Sequence, residues 1–130
     1  MKPRLVIADD HIMFRDALKD LFLYSNLDII GEAGDGLETI EIVENLKPDI
    51  LLLDINMPKL DGLDVMERLR KRLPELKIII LTMYEHLQDL ALKSGANGYF
   101  HKDSDANDLL AGIERVFKGE TFISNRQPFS

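Results

Sequence analysis

Five side chains able to do chemistry stand where apolar runs end. Asp9 and Asp10 follow RLVIA, Asp54 ends DILLLD, Thr82 follows KIIIL, and Lys102 ends GYFHK. A carboxylate buried alone among aliphatic residues is strongly disfavoured, so Asp54 behind Leu51, Leu52 and Leu53 needs partners. If these runs are neighbouring strands, three carboxylates, a hydroxyl and an ammonium converge on one edge. Like charges that close repel and call for a counter-ion. Oxygen donors with coordination positions to spare suit Mg2+, which keeps several waters and joins phosphate oxygens. Asp54 is then the candidate nucleophile, taking a phosphoryl group as an aspartyl-phosphate. Lys102 and the cation would offset charge on the transferring group, and Thr82 would offer a hydrogen bond to one of its oxygens.

The elements that must position these residues alternate along the chain. RLVIA (4–8), DIIGEA (28–33), DILLL (49–53), KIIIL (77–81) and GYFHK (98–102) read as five short strands. Between them apolar residues recur at helical spacing: Phe14, Ala17, Leu18, Leu21 and Phe22; Ile40, Val43 and Leu46; Leu63, Met66 and Leu69; Leu87, Leu90 and Ala91. A fifth such face holds Leu109, Leu110, Ile113 and Phe117. Gly34, Gly36, Pro48, Pro74, Gly95 and Gly98 break the runs, and Ser104 or Asp105 can cap the last helix. Strict strand–helix alternation implies an α/β fold: a doubly wound, five-stranded parallel sheet with helices on both faces, flavodoxin-like. With strand order 2-1-3-4-5, strands 1 and 3 are neighbours at the switch point, where such sheets bind ligands beyond their carboxyl ends.

Bulk composition narrows the setting. Apolar residues make up 45% of the 130 and charged ones 30%, as in a globular domain. A net charge of −7 argues against this chain gripping nucleic acid by itself. There is no cysteine, so neither a disulfide nor a thiolate metal site is available. The N-terminus lacks a signal-peptide core, and no run approaches the ~18 apolar residues of a membrane span. The expectation is a cytoplasmic domain over residues 1–119. Residues 120–130, ETFISNRQPFS, lack a period and are expected to begin a linker.

The motifs ADDH, LLLDINMPKLDG, ILTMYE and GANGYFHKD, in this order and spacing, resemble the receiver domain of two-component response regulators. GYFHKD and GETFIS are most similar to the NarL/FixJ type with a LuxR-type output. The resemblance implies a phosphoryl group received from a sensor histidine kinase on Asp54. It implies Mg2+ held by the side chains of Asp10 and Asp54 and the backbone carbonyl of Asn56, with Asp9 acting partly through water. It implies a switch in which Thr82 moves toward the phosphoryl group and Tyr99 shifts its ring, with homodimerisation on phosphorylation. DNA would be reached through a helix-turn-helix output domain outside this chain. Asn56 and Tyr84 stand where the family tunes hydrolysis. Such a protein is no enzyme in the turnover sense: it catalyses its own phosphoryl transfer and slow autodephosphorylation.

Taken singly, these residues have ordinary readings. Asp10 can cap helix 1, Thr82 can be a strand-end threonine, Lys102 a solvated charge on an edge strand and Tyr99 a half-buried aromatic. His11, His86 and His101 show no metal-ligand spacing and read as surface residues or residues beside the site. ERLRKR (67–72) reads as a solvated helix end with cations at its C-terminus. Three other functions share the pattern: a stand-alone receiver working by protein contact, a flavin-binding protein, and an aspartyl-phosphate phosphatase of the haloacid dehalogenase type. ADDHIM would repel a flavin phosphate in the absence of metal. The phosphatase family's general-acid aspartate falls at position 56, which is Asn56 here.

Overall fold

The computed structural model describes residues 2–83 and 87–124. Strands β1 (Arg4–Ala8), β2 (Asp28–Ala33), β3 (Ile50–Asp54), β4 (Lys77–Thr82) and β5 (Gly98–His101) alternate with helices α1 (Ile12–Phe22), α2 (Gly36–Leu46), α3 (Gly62–Arg72), α4 (Gln88–Lys93) and α5 (Ala106–Phe117). The five expected strands form, all parallel and in the expected order. A short sixth strand, β6 (Phe122–Ser124), extends the sheet to β2-β1-β3-β4-β5-β6. It lies in the stretch expected to begin a linker. Its anchor is tertiary: the Phe122 ring lies against Gly112 of α5, where an added Cβ would come within 2.3–2.5 Å of ring carbons. Residues 125–130, Tyr84 and His86 lie outside the described residues.

Strand side chains alternate between two cores, as the pleat requires. Leu5, Ile7, Ile50, Leu52, Ile79, Leu81 and Phe100 pack on the face covered by Leu18 and Phe22 of α1 and by Leu109, Ile113 and Val116 of α5. Val6, Ala8, Leu51, Leu53, Ile78, Ile80 and Tyr99 pack on the other face with Val43, Val65, Met66, Leu69 and Ala91 from α2, α3 and α4. β3 is buried along its whole length, which is why it reads as an unbroken apolar run.

Helix starts are set by local chemistry. Asp35 accepts the Glu38 N–H (2.8 Å) while the Glu38 carboxylate accepts the Gly34 N–H (2.9 Å), a reciprocal cap on α2. Asp61 caps α3 through the Asp64 N–H, and Asp105 caps α5 through the Asn107 N–H. For α1 the capping position is His11, whose side chain makes no capping hydrogen bond, so Asp10 is not held in place as a helix cap.

The solvated reading of ERLRKR fails at Arg70. Its guanidinium turns under the sheet, donating to the carbonyls of Pro74 (3.3 Å), Leu76 and Gly95 (2.7 Å) and to the Asn97 side chain (2.9 Å). Among the described residues no helix is long and apolar enough to cross a membrane.

Candidate functional site

The sheet brings its carboxyl ends together as expected. The ladder continues past the strand ends: Asp9 N–H donates to Ala33 C=O (2.9 Å), Ile55 N–H to Leu81 C=O (3.2 Å) and Lys102 N–H to Thr82 C=O (2.7 Å). Asp9 and Asp54 therefore leave the adjacent strands β1 and β3 at one level, and Lys102 leaves β5, beyond β4, to reach the same edge.

A tight loop fixes Asp54 from the other side. Gly62 N–H donates to Ile55 C=O (2.9 Å), and a Cβ at Gly62 would sit 2.6 Å from Ile55 Cα and 2.7 Å from the Asp54 carbonyl. Glycine here lets the start of α3 rest directly on the Asp54–Ile55 peptide. Gly36 does the same for the far side of the loop, where a Cβ would lie 2.2 Å from Leu60 C=O. Lys59 makes the turn with a positive φ of 72°.

Asp9 is fully buried and Asp54 nearly so, at 3% exposure. The Lys102 ammonium sits between them, 2.7 Å from Asp9 Oδ2 and 3.5 Å from Asp54 Oδ2. It also lies 4.6 Å over the Phe14 ring centroid, a cation–π contact that keeps the amine at the site. Asp9 Oδ1 accepts the His11 N–H (2.9 Å), and Asp54 Oδ1 accepts the Asn56 N–H (3.2 Å). Asp54 Oδ2 has no hydrogen-bond partner among the described residues. Burial, then the neighbouring Asp9 charge, push the Asp54 carboxyl up to about 7, against the lowering effects of Lys102 and the Asn56 N–H. One ammonium does not neutralise this cluster.

The donor set fits a hard divalent cation. Asp9, Asp10, His11 and Asp54 each offer one ligand atom, all within 4.8 Å of one another, and carboxylate oxygens dominate. A cation there would give Asp54 Oδ2 a second positive partner beside Lys102 and relieve the repulsion.

The other expected residues are placed with less intimacy. Thr82 is fully buried at the end of β4, one position beyond Leu81, which pairs with Asp54. Tyr99 is fully buried rather than half-buried, in the core on the α2–α3–α4 face. Asn56 is exposed in the loop after β3. One histidine differs from the surface reading. His101 is buried at 2% exposure, its Nε2 donating to Met83 C=O (2.8 Å) and its Nδ1 accepting from the Asp103 N–H (3.1 Å). The His11 ring, 64% exposed, lies at the surface beside the carboxylate cluster, as expected of it. Adjacency to the Asp9–Asp10 pair was the available signal for His11; nothing local signals the burial of His101 or the contact of Phe14 with Lys102.

A family model of the response regulator receiver domain matches residues 5–114. The chain is 37% identical over 123 residues to the nitrate/nitrite response regulator protein NarL of Escherichia coli K12, covering 92% of this chain and 57% of that protein. It is 38% identical to the oxygen regulatory protein NreC of Staphylococcus aureus, with the same coverage. The chain thus spans a little over half the length of these relatives. Among solved structures, a LuxR-family two-component response regulator from Aurantimonas superposes with a TM-score of 0.91 at 27% identity, over 95% of this chain and 91% of that one. The response regulator domain of Thermotoga maritima CheB superposes with 0.85 at 28% identity, over 92% of this chain and 99% of that one.

Proposed function

This chain belongs to the response regulator receiver family, of the NarL/LuxR kind, and from that premise we propose that it is a switch set by phosphorylation of Asp54. The observation that carries the reading is the buried Asp54 Oδ2, which accepts no hydrogen bond among the described residues and lies 3.5 Å from one ammonium in a cluster short of positive charge. Asp54 Oδ2 attacks the phosphorus of a phosphohistidine on a sensor histidine kinase. The P–N bond breaks and the imidazole leaves with its electron pair, taking up a proton from solvent. A carboxyl protonated near neutrality is a poor nucleophile, so Asp54 must be held ionised. Lys102 contributes to that and then pairs with the phosphoryl oxygens. Asp10 and Asp54 side chains and the Asn56 carbonyl would hold Mg2+, with Asp9 partly through water. When bound, Mg2+ supplies the remaining charge neutralisation at the carboxylate and the transferring group.

Thr82 stands in the adjacent strand to donate its hydroxyl to the phosphoryl group, and Tyr99 repacks in the core below as the Thr82 segment moves. The differential contact at Thr82 biases the switch. The outcome is homodimerisation and, in a longer protein with a helix-turn-helix output domain, control of transcription in the cytoplasm. Asn56, where the aspartyl-phosphate phosphatases carry a general-acid aspartate, supports a receiver over a turnover phosphatase.

The test is a mass spectrum after incubation with a small phosphoryl donor and Mg2+. One alkali-labile adduct per chain is expected, absent from Asp54→Asn and lost on chelation. An undiminished adduct on Asp54→Asn would overturn the assignment.

A further inference from the structure

We propose that His101 is a positioning residue of the switch. Its ring ties the backbone leaving β4 just past Thr82 to the backbone leaving β5 just past Lys102, and its bond to the Met83 carbonyl must break before Thr82 can advance on Asp54. The proposal rests on the receiver reading of the site and concerns what holds the resting state.

The ring's hydrogen bonds carry it. His101 is 2% exposed, and a side chain so buried needs partners for its polar atoms. Both ring nitrogens find them on the backbone: Nε2 lies 2.8 Å from the Met83 carbonyl oxygen, and Nδ1 lies 3.1 Å from the Asp103 nitrogen. A carbonyl only accepts and an amide N–H only donates, so the ring is neutral with its proton on Nε2. Met83 follows Thr82, and Asp103 follows Lys102. One ring thus joins the two exits that carry the hydroxyl and the ammonium of the site. A leucine would fill the same end of the core at a lower desolvation cost, so filling space does not account for an imidazole here.

Position makes the bond to Met83 the one that yields. Thr82 and His101 are partners in the β4–β5 ladder, and Tyr99 lies two residues before His101, so all three side chains project to one face of the sheet. The ring is held from the β5 side, by the Asp103 N–H and by the turn in which Ser104 N–H donates to His101 C=O (2.9 Å). Drawing the Thr82 hydroxyl toward a phosphoryl group on Asp54 moves the chain that bears it, and the Met83 carbonyl with it. The ring does not follow. The resting and switched states then differ by one definite contact, as a ligand-biased switch requires. Losing a bond of this kind should change their ratio about fivefold.

The test labels the histidine ring nitrogens of the purified chain and follows them by NMR, before and after phosphorylation by a small donor with Mg2+. A mass spectrum counts the adduct on Asp54. At rest His101 should show the Nε2–H tautomer, its proton protected from exchange with water. Phosphorylation should lower that protection about fivefold or more in wild type and leave it intact in Thr82→Ala. A rescue pair separates positioning from packing. His101→Gln keeps an N–H within reach of the Met83 carbonyl, whereas His101→Asn is too short for it. Without phosphate, the Thr82 amide resonance of His101→Asn should move toward its phosphorylated position, and that of His101→Gln should stay at the wild-type one. A ring proton equally protected once Asp54 carries its adduct would overturn the role of His101 and leave the receiver reading standing. So would an Nδ1–H tautomer at rest, or the same Thr82 position in both variants. A wild-type chain that takes no adduct on Asp54 would remove both the proposal and the reading beneath it.

Discussion

At the amino end of the sheet, Arg70 reaches between the starts of β4 and β5 and donates to three backbone carbonyls and the Asn97 side chain. At the carboxyl end, Asp9 and Asp54 enclose one ammonium and leave an Asp54 oxygen without a hydrogen bond. Both ends draw charge from water, Arg70 partly and Asp54 almost completely. At Arg70 the charge is matched by acceptors in fixed positions, so removing it harms the fold. At Asp54 the carboxylates outnumber their partners, so removing one charge helps the fold and ends the chemistry. A buried charge with its partners complete is structural, whereas one left incomplete is prepared for a partner that comes and goes.

The contrast breaks most readily at Arg70. Arg70→Leu should cost about 3 kcal/mol in denaturant unfolding, because four acceptors lose a charged donor. The folded fraction should still take its phosphoryl adduct. A loss below about 1 kcal/mol would mean water substitutes easily and the end is not held by this residue.

Gly62→Ala probes the seam between fold and site. Its Cβ would meet the Asp54–Ile55 backbone at 2.6–2.7 Å, with no flexible side chain to yield. A destabilisation of about 2 kcal/mol is expected, together with slower adduct formation as Asp54 is displaced. Unchanged phosphorylation kinetics would show that Asp54 tolerates movement of the loop.

Asp10→Asn sharpens the other half of the comparison. It removes one like charge at nearly constant volume, so the metal-free protein should gain about 1 kcal/mol. The same variant should lose most of the stabilisation that millimolar Mg2+ gives wild type by mass action. A variant that is less stable without metal, or that keeps the full Mg2+ increment, would place the counter-ion elsewhere.

The remaining effect is a pH slope. Asp54 releases its proton near 3.8 when unfolded and near 7 when folded. Between those values the folded protein holds the extra proton, so this group's contribution to stability is full below about 4 and is lost as pH rises through about 7. Without Mg2+, wild type minus Asp54→Asn should therefore decline across that window by less than about 1.4 kcal/mol per pH unit, the limit for one proton. A difference that rises with pH would mean Lys102 outweighs burial and Asp9.

Much of this was legible along the chain. Periodicity located five strands, the breakers located their ends, and the polar residues closing the apolar runs marked the ligand edge. Asp9, Asp54 and Lys102 meet because parallel strands in register bring their carboxyl ends to one level. β6 was illegible because three residues carry no period, and its place depends on the Phe122 ring meeting Gly112. Arg70 was misread because a basic helix end has the same sequence whether its charges are solvated or turned inward.

Residue order carries what is repeated or adjacent: the alternation of elements, the acidic pair at 9 and 10, and the apolar run closing on Asp54. Those are properties of spacing along a chain. Tertiary structure alone decided which charges find partners: Lys102 between two carboxylates, His11 against them, His101 tied to two backbones, and an Asp54 carboxyl raised to about 7. Burial and ion pairing are set by atoms brought together from distant positions. A list of residue types fixes neither the distances nor the loss of water on which they depend.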